Sequence, residues 1–201
     1  MNLNWLNKKN NDKLIIFFNG WGMDDGVVSH LICDDYDVLT VCDYNSLEPL
    51  PDFAEYKTIN VVAWSMGVMI ATIVGVKCDF AIAINGTPYP INAEFGINPK
   101  VYKLMELGFN EDTKDKFVAK MFDEIPANFV APLRSTENRK AELTSLKAYT
   151  PNLDYKFDRI IVSDNDKIIP TTSQMNYWKS AENVAGGHCI FYNYTHWEEL
   201  L

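Results

Sequence analysis

The most constraining feature of this sequence is a serine that lies between a buried-strand pattern and a buried-helix pattern. Residues 58–64 form a largely apolar run, and Ser65 follows it directly. Residues 65–75 are apolar with small side chains at intervals, which predicts a buried helix. A serine on a sharp strand-to-helix turn presents its hydroxyl at the edge of a sheet. Ser65 is therefore the candidate nucleophile of an acyl-transfer enzyme.

The small residues beside Ser65 have a steric reason. In such a turn the helix passes close to the strand, so the positions two before and two after the serine cannot carry large side chains. Gly67 meets this demand, and Ala63 replaces the glycine more usual at the other position. The alternative interpretation is a serine that caps a core helix. The apolar strand and helix on either side favour catalysis over capping.

Several other apolar runs have the length of strands and are separated by helical stretches. The predicted strands are residues 13–18, 36–41, 58–64, 78–85, 158–163 and 181–185. Apolar strands that alternate with helices predict a mostly parallel sheet with helices on both faces. Together with the serine turn, this order indicates an α/β-hydrolase fold, and we expect residues 1–201 to form a single domain.

A long stretch between the fourth and fifth predicted strands has a different character. Residues 87–150 contain five prolines and short helical patches, and they exceed what an ordinary crossover needs. We therefore predict that residues 87–150 form an inserted helical cap, or lid, within the single domain.

Acyl transfer also requires backbone N–H groups that stabilise the developing oxyanion. In hydrolases with this strand–serine–helix order, one donor is the residue after the nucleophile, which is Met66 here. The other belongs to the loop after an earlier strand, here residues 19–22 (Asn-Gly-Trp-Gly). We predict Trp21 as this second donor, with Gly20 as the alternative. A plain glycine-rich turn is the competing interpretation.

The acid of a Ser-Asp-His triad follows the nucleophile in this chain order. Asp164 and Asp166 both follow the strand at residues 158–163. Asp166 is favoured because it stands four residues before Pro170, a setting familiar from hydrolase acid loops. The other aspartate is then expected to bond its own backbone within a turn.

The chain contains three histidines as candidates for the general base. His188 follows the last predicted strand on a glycine-rich loop, where a base could reach Ser65. His30 precedes the nucleophile, in a predicted surface helix, and His196 lies in a predicted C-terminal helix. We predict His188 as the base and structural roles for the other two.

Charge and cysteine spacing exclude other functions. The net charge of −9 argues against nucleic-acid binding, which needs a basic surface. The four cysteines are scattered, so we expect reduced thiols and no metal site, and we expect no cofactor. We find neither a signal-peptide pattern nor a membrane-spanning run, so the expected location is cytoplasmic, with no membrane partner.

The combined motifs resemble the BioG family of pimeloyl-[acyl-carrier protein] methyl ester esterases. The similarity covers most of the chain, and its more specific part is the pair Asn-Gly-Trp-Gly and Ala-Ile-Asn-Gly-Thr-Pro. The residues that carry it are 17–24, 63–68, 83–88, 96–99, 116–121 and the acid loop that ends at Pro170. Compared with the family's wider fold, the short N-terminus implies that the first one or two sheet strands are missing.

The resemblance implies a serine esterase of biotin synthesis with Ser65, Asp166 and His188 as its triad. The implied reaction removes the methyl group from a pimeloyl thioester on acyl-carrier protein. Because this carrier is acidic, we expect a basic docking face. Residues 100–150 carry nine Lys and Arg against eight Asp and Glu. The basic side chains that could form this face are Lys114, Lys116, Lys120, Arg134, Arg139, Lys140 and Lys147. Arg134, Arg139 and Lys140 are the candidate carrier contacts, unless these charges are ordinary solvated helix residues.

Two rival functions remain open from the sequence. The first is a general carboxylesterase or thioesterase that uses the same fold and triad on small acyl esters, since a fold does not define a substrate. The second is a binding module that kept the fold without the chemistry. The complete set of serine, aspartate and histidine argues against the second.

Overall fold

Seven strands form one sheet, and six of them are parallel. A computed structural model describes residues 1–201, and the sheet order is β1-β3-β2-β4-β5-β6-β7. Only β1 is antiparallel, and it pairs with β3 at the sheet edge. The strands are β1 (Asn2–Asn7), β2 (Lys13–Phe18), β3 (Asp37–Cys42), β4 (Thr58–Trp64), β5 (Phe80–Ile84), β6 (Arg159–Ser163) and β7 (Glu182–Val184).

The first strand, β1, has no apolar run that would predict it from the sequence. The segment Asn2–Asn7 is exposed to half-buried along its length and carries three asparagines. An antiparallel edge strand faces solvent on one side, so it lacks the continuous apolar run that marked the central strands. The N-terminus therefore supplies one strand of the sheet.

The central strands are apolar on both faces because each face packs against its own core. Along β2, Leu14, Ile16 and Phe18 contribute to one core, which also contains residues of α1 (Met66–Val74). Ile15 and Phe17 contribute to the opposite core, which contains the C-terminal residues Phe191 and Trp197. Alternate side chains of a strand point to opposite faces. This two-sided burial fixes the register that brings all the loops of the site to one sheet edge.

The segment between β5 and β6 contains three helices. They are α2 (Pro99–Gly108), α3 (Lys114–Lys120) and α4 (Thr136–Leu146). Asn98 and Ser135 cap α2 and α4 by accepting hydrogen bonds from backbone amides in the first turn. A last helix, α5 (Thr171–Tyr177), follows β6. We call residues 87–150 the cap insertion; that it acts as a lid stays a prediction. None of the helices is long and apolar enough to cross a bilayer.

Candidate active site

Ser65 lies on a strained turn between β4 and α1. Its φ and ψ are 59° and −124°, a combination that non-glycine residues rarely adopt. The Ser65 amide donates to the carbonyl of Ile84, which ties the turn to the end of β5. The side chain does not cap α1, since it makes no hydrogen bond to the helix amides. The hydroxyl is therefore free for other partners.

Close backbone approach explains the glycine two residues after the serine. A Cβ at Gly67 would collide with the carbonyl oxygens of Phe18 and Asn19, the latter at 2.5 Å. Gly86, on the loop after β5, would likewise collide with the carbonyl of Ser65. The turn thus depends on two glycines, of which the serine motif predicts only Gly67.

We expect Gly67→Ala to lower the free energy of unfolding by about 3 kcal/mol, because the added methyl group must displace rigid backbone. Urea titration measures this change. Gly108→Ala is the matched control, since a Cβ there meets no atom within 4 Å, and alanine is a better helix former than glycine. An unchanged unfolding midpoint in Gly67→Ala would contradict the close approach.

His188 links Ser65 to an aspartate through two hydrogen bonds. Its Nε2 lies 2.8 Å from Ser65 Oγ, and its Nδ1 lies 2.7 Å from Asp166 Oδ2. Because a carboxylate only accepts, Nδ1 carries the proton and Nε2 is the acceptor for the serine hydroxyl. All three residues are buried. The structure therefore brings together the serine, histidine and favoured aspartate that the sequence predicted.

The two candidate aspartates have different surroundings. Asp166 Oδ1 accepts from the amides of Ile168 and Ile169, and Oδ2 accepts from Gln174 Nε2 as well as from His188. Asp164 is exposed and accepts from the Gly186 amide. Only Asp166 reaches the histidine, and four donors surround its two oxygens.

The loop that carries His188 is held by two residues whose role the sequence analysis missed. Trp64 Nε1 and Asn85 Nδ2 each donate to the His188 carbonyl at 2.9 Å. Asn85 also accepts from the Ser163 amide at 2.7 Å, so it joins the ends of β5 and β6 to the histidine loop. The available signal was an asparagine directly after an apolar strand, followed by glycine.

Trp21 and Met66, the two predicted oxyanion donors, flank the cavity at Ser65. Both residues border this narrow cavity together with Ser65 and His188, and neither amide donates to a protein acceptor. The Gly20 amide, by contrast, donates to Asn19 Oδ1 at 3.1 Å. This difference favours Trp21 over Gly20 as the second donor of an oxyanion hole.

The other two histidines lie outside this group. His30 stacks on Tyr192 and contacts the carbonyl of Phe191 through Nε2. His196 is exposed and lies 3.5 Å from Glu199. Neither contacts Ser65 or an aspartate.

Cys189 follows the histidine but is unsuited to act as a competing nucleophile. All four cysteines are free thiols. Burial raises the pKa of Cys189 well above its usual range and raises that of Cys33 to about 12. A thiol protonated at neutral pH is a weak nucleophile.

Arg134 and Arg139 were expected to contact a carrier protein, and that expectation is wrong. The Arg134 guanidinium is buried between Asp43 at 3.1 Å and Glu142 at 2.9 Å. Arg139 is 3% exposed and stacks on Phe109, and burial lowers its pKa. Both side chains are enclosed by the chain itself, so neither is available to a docking partner. Lys140 is exposed, and its role as a contact stays a prediction.

An apolar groove of about 380 Å³ adjoins the cavity at Ser65. Cavity and groove share Ile97, Met105, Phe117 and Ile168 as lining residues. Val101 and Leu104 continue the apolar lining outward along α2, and both are largely exposed. The remaining lining includes three lysines, namely Lys116, Lys120 and Lys167. The described residues include no cluster of ligands suited to a metal ion.

The chain is similar along most of its length to several known proteins. A crystal structure of BioG from Haemophilus influenzae has a TM-score of 0.92 and 31% sequence identity, covering 100% of this chain and 99% of that one. An uncharacterized protein of Haemophilus influenzae is 34% identical over 204 residues, 94% of each chain. A malonyl-[acyl-carrier protein] O-methyltransferase of Bacteroides fragilis is 33% identical over 177 residues, which are 82% of this chain and 36% of that protein.

The family model for the pimeloyl-ACP methyl esterase BioG matches residues 1–200. The α/β-hydrolase fold and the family resemblance predicted from the sequence are thereby confirmed. The chain belongs to the BioG family and is a carboxylesterase with the α/β-hydrolase fold.

Proposed function

We propose that this esterase hydrolyses the methyl ester of a pimeloyl group carried on acyl-carrier protein. In this proposal Ser65 is the nucleophile, His188 the general base and Asp166 the orienting acid. The observation that carries it is the hydrogen-bonded chain from Ser65 through His188 to Asp166, at 2.8 Å and 2.7 Å. The substrate assignment rests on the family and on the groove described above.

The reaction begins with attack of Ser65 Oγ on the ester carbonyl while His188 Nε2 takes the hydroxyl proton. The carbonyl oxygen becomes an oxyanion and accepts hydrogen bonds from the amides of Trp21 and Met66. Collapse of this intermediate breaks the bond to the methoxy group, which leaves as methanol with the proton from His188. The acyl group remains on Ser65 as an ester.

Water completes the cycle. His188 removes a proton from a water molecule, which attacks the acyl-serine carbonyl, and the second tetrahedral intermediate expels Ser65 Oγ. The serine regains its proton from His188, and the product leaves as a free carboxylic acid. Asp166 stabilises the imidazolium form of His188 in both halves and keeps its Nδ1 protonated.

The groove matches a substrate whose ester lies at one end of an acyl chain and whose carrier lies at the other. With the methyl ester at Ser65, the methylene chain contacts Ile97, Met105 and Phe117, which border both the cavity and the groove. Apolar lining stabilises methylene groups by about 0.8 kcal/mol for each one buried. The prosthetic arm of the carrier then extends towards the open end.

The lysines of the groove lining suit an acidic carrier. Lys116, Lys120 and Lys167 line the groove and have exposed side chains. Lys167 lies 3.4 Å from Asp123, whereas no carboxylate pairs with Lys116 or Lys120. Because the chain has a net charge of −9, a local basic patch is needed to offset repulsion of an acidic partner. In this proposal Lys116, Lys120 and Lys167 form the docking patch, and the two buried arginines take no part in it.

The Bacteroides relative supplies a second line of support. Its name describes a methyltransferase that acts on a carrier-bound acid, and this chain matches 36% of its length. A methyltransferase forms the kind of ester that this esterase would later remove. The two activities therefore belong to one reaction sequence on a carrier protein.

We expect the double variant Lys116→Glu/Lys120→Glu to raise KM for pimeloyl-carrier methyl ester by about 10-fold or more, since opposite charges at an exposed interface chiefly steer encounter. The same variant should hydrolyse a short p-nitrophenyl ester at the unaltered rate. Steady-state kinetics on both substrates test this expectation.

The matched control is Lys57→Glu/Lys77→Glu. These lysines are exposed and precede β4 and β5, at the strand ends opposite the site, and the pair changes the net charge equally. A similar rise in KM in both double variants would contradict a local docking patch. If the unaltered protein turns over only the short ester, it is a general carboxylesterase and the substrate proposal fails.

A further inference from the structure

We infer that Glu142, a buried carboxylate on α4, is a positioning residue for the oxyanion hole. This inference rests on the proposed function, in which the Trp21 amide is one of the two oxyanion donors. Glu142 is fully buried and lies outside the catalytic hydrogen-bond chain. Its Oε2 accepts from the Gly22 amide at 3.0 Å, and its Oε1 accepts from the Tyr44 amide at 2.9 Å. The carboxylate thus bridges two loops that follow neighbouring strands, β2 and β3.

The Glu142 carboxylate binds the amide of the residue that follows Trp21, the predicted oxyanion donor. Gly22 follows Trp21 and has a φ of 71°, so the chain reverses sharply here. The Met23 amide donates to the Gly20 carbonyl, and that carbonyl shares its peptide plane with the Trp21 amide. A peptide carbonyl and its amide point in opposite directions because the bond is planar and trans. Fixing the turn at Gly22 and Met23 therefore fixes the direction of the Trp21 N–H.

Other contacts from the cap insertion hold the same turn. The Trp21 indole donates through Nε1 to the Arg139 carbonyl at 2.7 Å, one helical turn before Glu142. Arg134 donates to the Met23 carbonyl at 3.3 Å and pairs with Glu142 at 2.9 Å. In this way α4 and the residues before it support residues 19–23, which we call the oxyanion loop.

The charge of Glu142 matters as well as its shape. Its two oxygens face the Gly22 amide, the Tyr44 amide and the Arg134 guanidinium, which are all donors. A glutamine in its place presents one acceptor and one N–H₂ group, so at least one donor loses its partner. Burial raises the pKa of Glu142, while the Arg134 guanidinium opposes that rise.

We expect Glu142→Gln to lower kcat for a short p-nitrophenyl ester by about 10-fold to 100-fold, since loss of a whole oxyanion donor costs about 100-fold to 1000-fold. KM should stay within about twofold, because the ground-state carbonyl makes little use of the hole. Affinity for a trifluoromethyl ketone, which forms an oxyanion on Ser65, should fall by the same factor as kcat. Rates are expressed per active site titrated with a fluorophosphonate.

Two further variants keep the test decisive. Arg134→Met/Glu142→Met removes both charges together, a replacement that buried ion pairs often tolerate without loss of stability. It lacks the acceptor for Gly22 and should show the same fall in kcat. Glu106→Gln is the control, because Glu106 pairs with Lys147, the residue after α4, but has no hydrogen bond to residues 19–23.

The possible results separate this inference from the proposed function. An unaltered kcat per titrated site in both Glu142 variants would overturn the positioning role, as would an equal fall in Glu106→Gln. A rise in KM at constant kcat would also overturn it, since that pattern belongs to ground-state binding. If the unaltered protein hydrolyses neither ester, the proposed function itself fails before any variant is compared.

Discussion

Ser65→Ala lowers kcat for both the carrier-bound ester and a short p-nitrophenyl ester by about 10⁶-fold, the scale found when a triad serine is removed. The reason is that no other hydroxyl occupies the turn after β4. Cys189, which follows His188 in the sequence, cannot act as the nucleophile instead. It is buried, its pKa is raised, and it is not on the turn that carries Ser65. Steady-state rates measure the loss, and a fluorescent fluorophosphonate reports whether the protein is still labelled.

The labelling experiment has a clear control. Ser180→Ala changes an exposed serine that follows α5 and lies outside the site, so its label and rate should equal those of the unaltered protein. Persistent labelling of Ser65→Ala would identify a different nucleophile. Equal turnover in Ser65→Ala and the unaltered protein would contradict the acyl-enzyme mechanism.

Local patterns in the sequence were sufficient to predict the strand, turn and helix around Ser65. The strand before Ser65, the helix after it and the glycine at position 67 are all determined by neighbours within a few residues. Backbone sterics at such a turn leave few alternatives, so the pattern carries structural information by itself. The chain order of serine, aspartate and histidine then restricted the choice of partners.

Long-range pairing explains what the sequence analysis missed or misassigned. Arg134 and Arg139 were assigned to a docking surface because charged side chains are usually exposed. In the structure Arg134 is enclosed by Asp43, which is distant in sequence, and by Glu142. A single sequence does not show that an acidic residue beyond two intervening strands supplies the countercharge.

Asn85 and Gln174 illustrate the same limit. Asn85 is 103 residues from the carbonyl it holds at His188, and Gln174 donates to Asp166 from the next helix. The Asn-Gly pair after β5 marked Asn85 only as part of a motif, and Gln174 is an ordinary helix residue, so neither hydrogen-bond partner could be predicted from local sequence. Their roles emerge only from the arrangement of strand ends at one edge of the sheet.

Asp166→Asn should lower kcat by about 10⁴-fold, because it forces the wrong tautomer on the histidine. The carboxylate Oδ1 accepts from the rigid amides of Ile168 and Ile169, while Oδ2 faces donors on His188 and Gln174. The asparagine oxygen is expected to turn towards the two backbone amides, which cannot reorient. Its N–H₂ group then faces Nδ1 of His188.

Because the asparagine N–H₂ group can only donate, Nδ1 of His188 has to act as the acceptor. The single ring proton of neutral His188 is then on Nε2. A protonated Nε2 cannot accept the hydroxyl proton of Ser65, and general-base catalysis stops. The matched control is Asp164→Asn, which retains an oxygen for the Gly186 amide and lies outside the His188 hydrogen bonds. Its kcat should stay within about threefold, since the change is exposed and neutral in packing. Equal losses of kcat in Asp164→Asn and Asp166→Asn would contradict this assignment. Asp164 would then orient His188, through the loop at Gly186, as much as Asp166 does by direct contact.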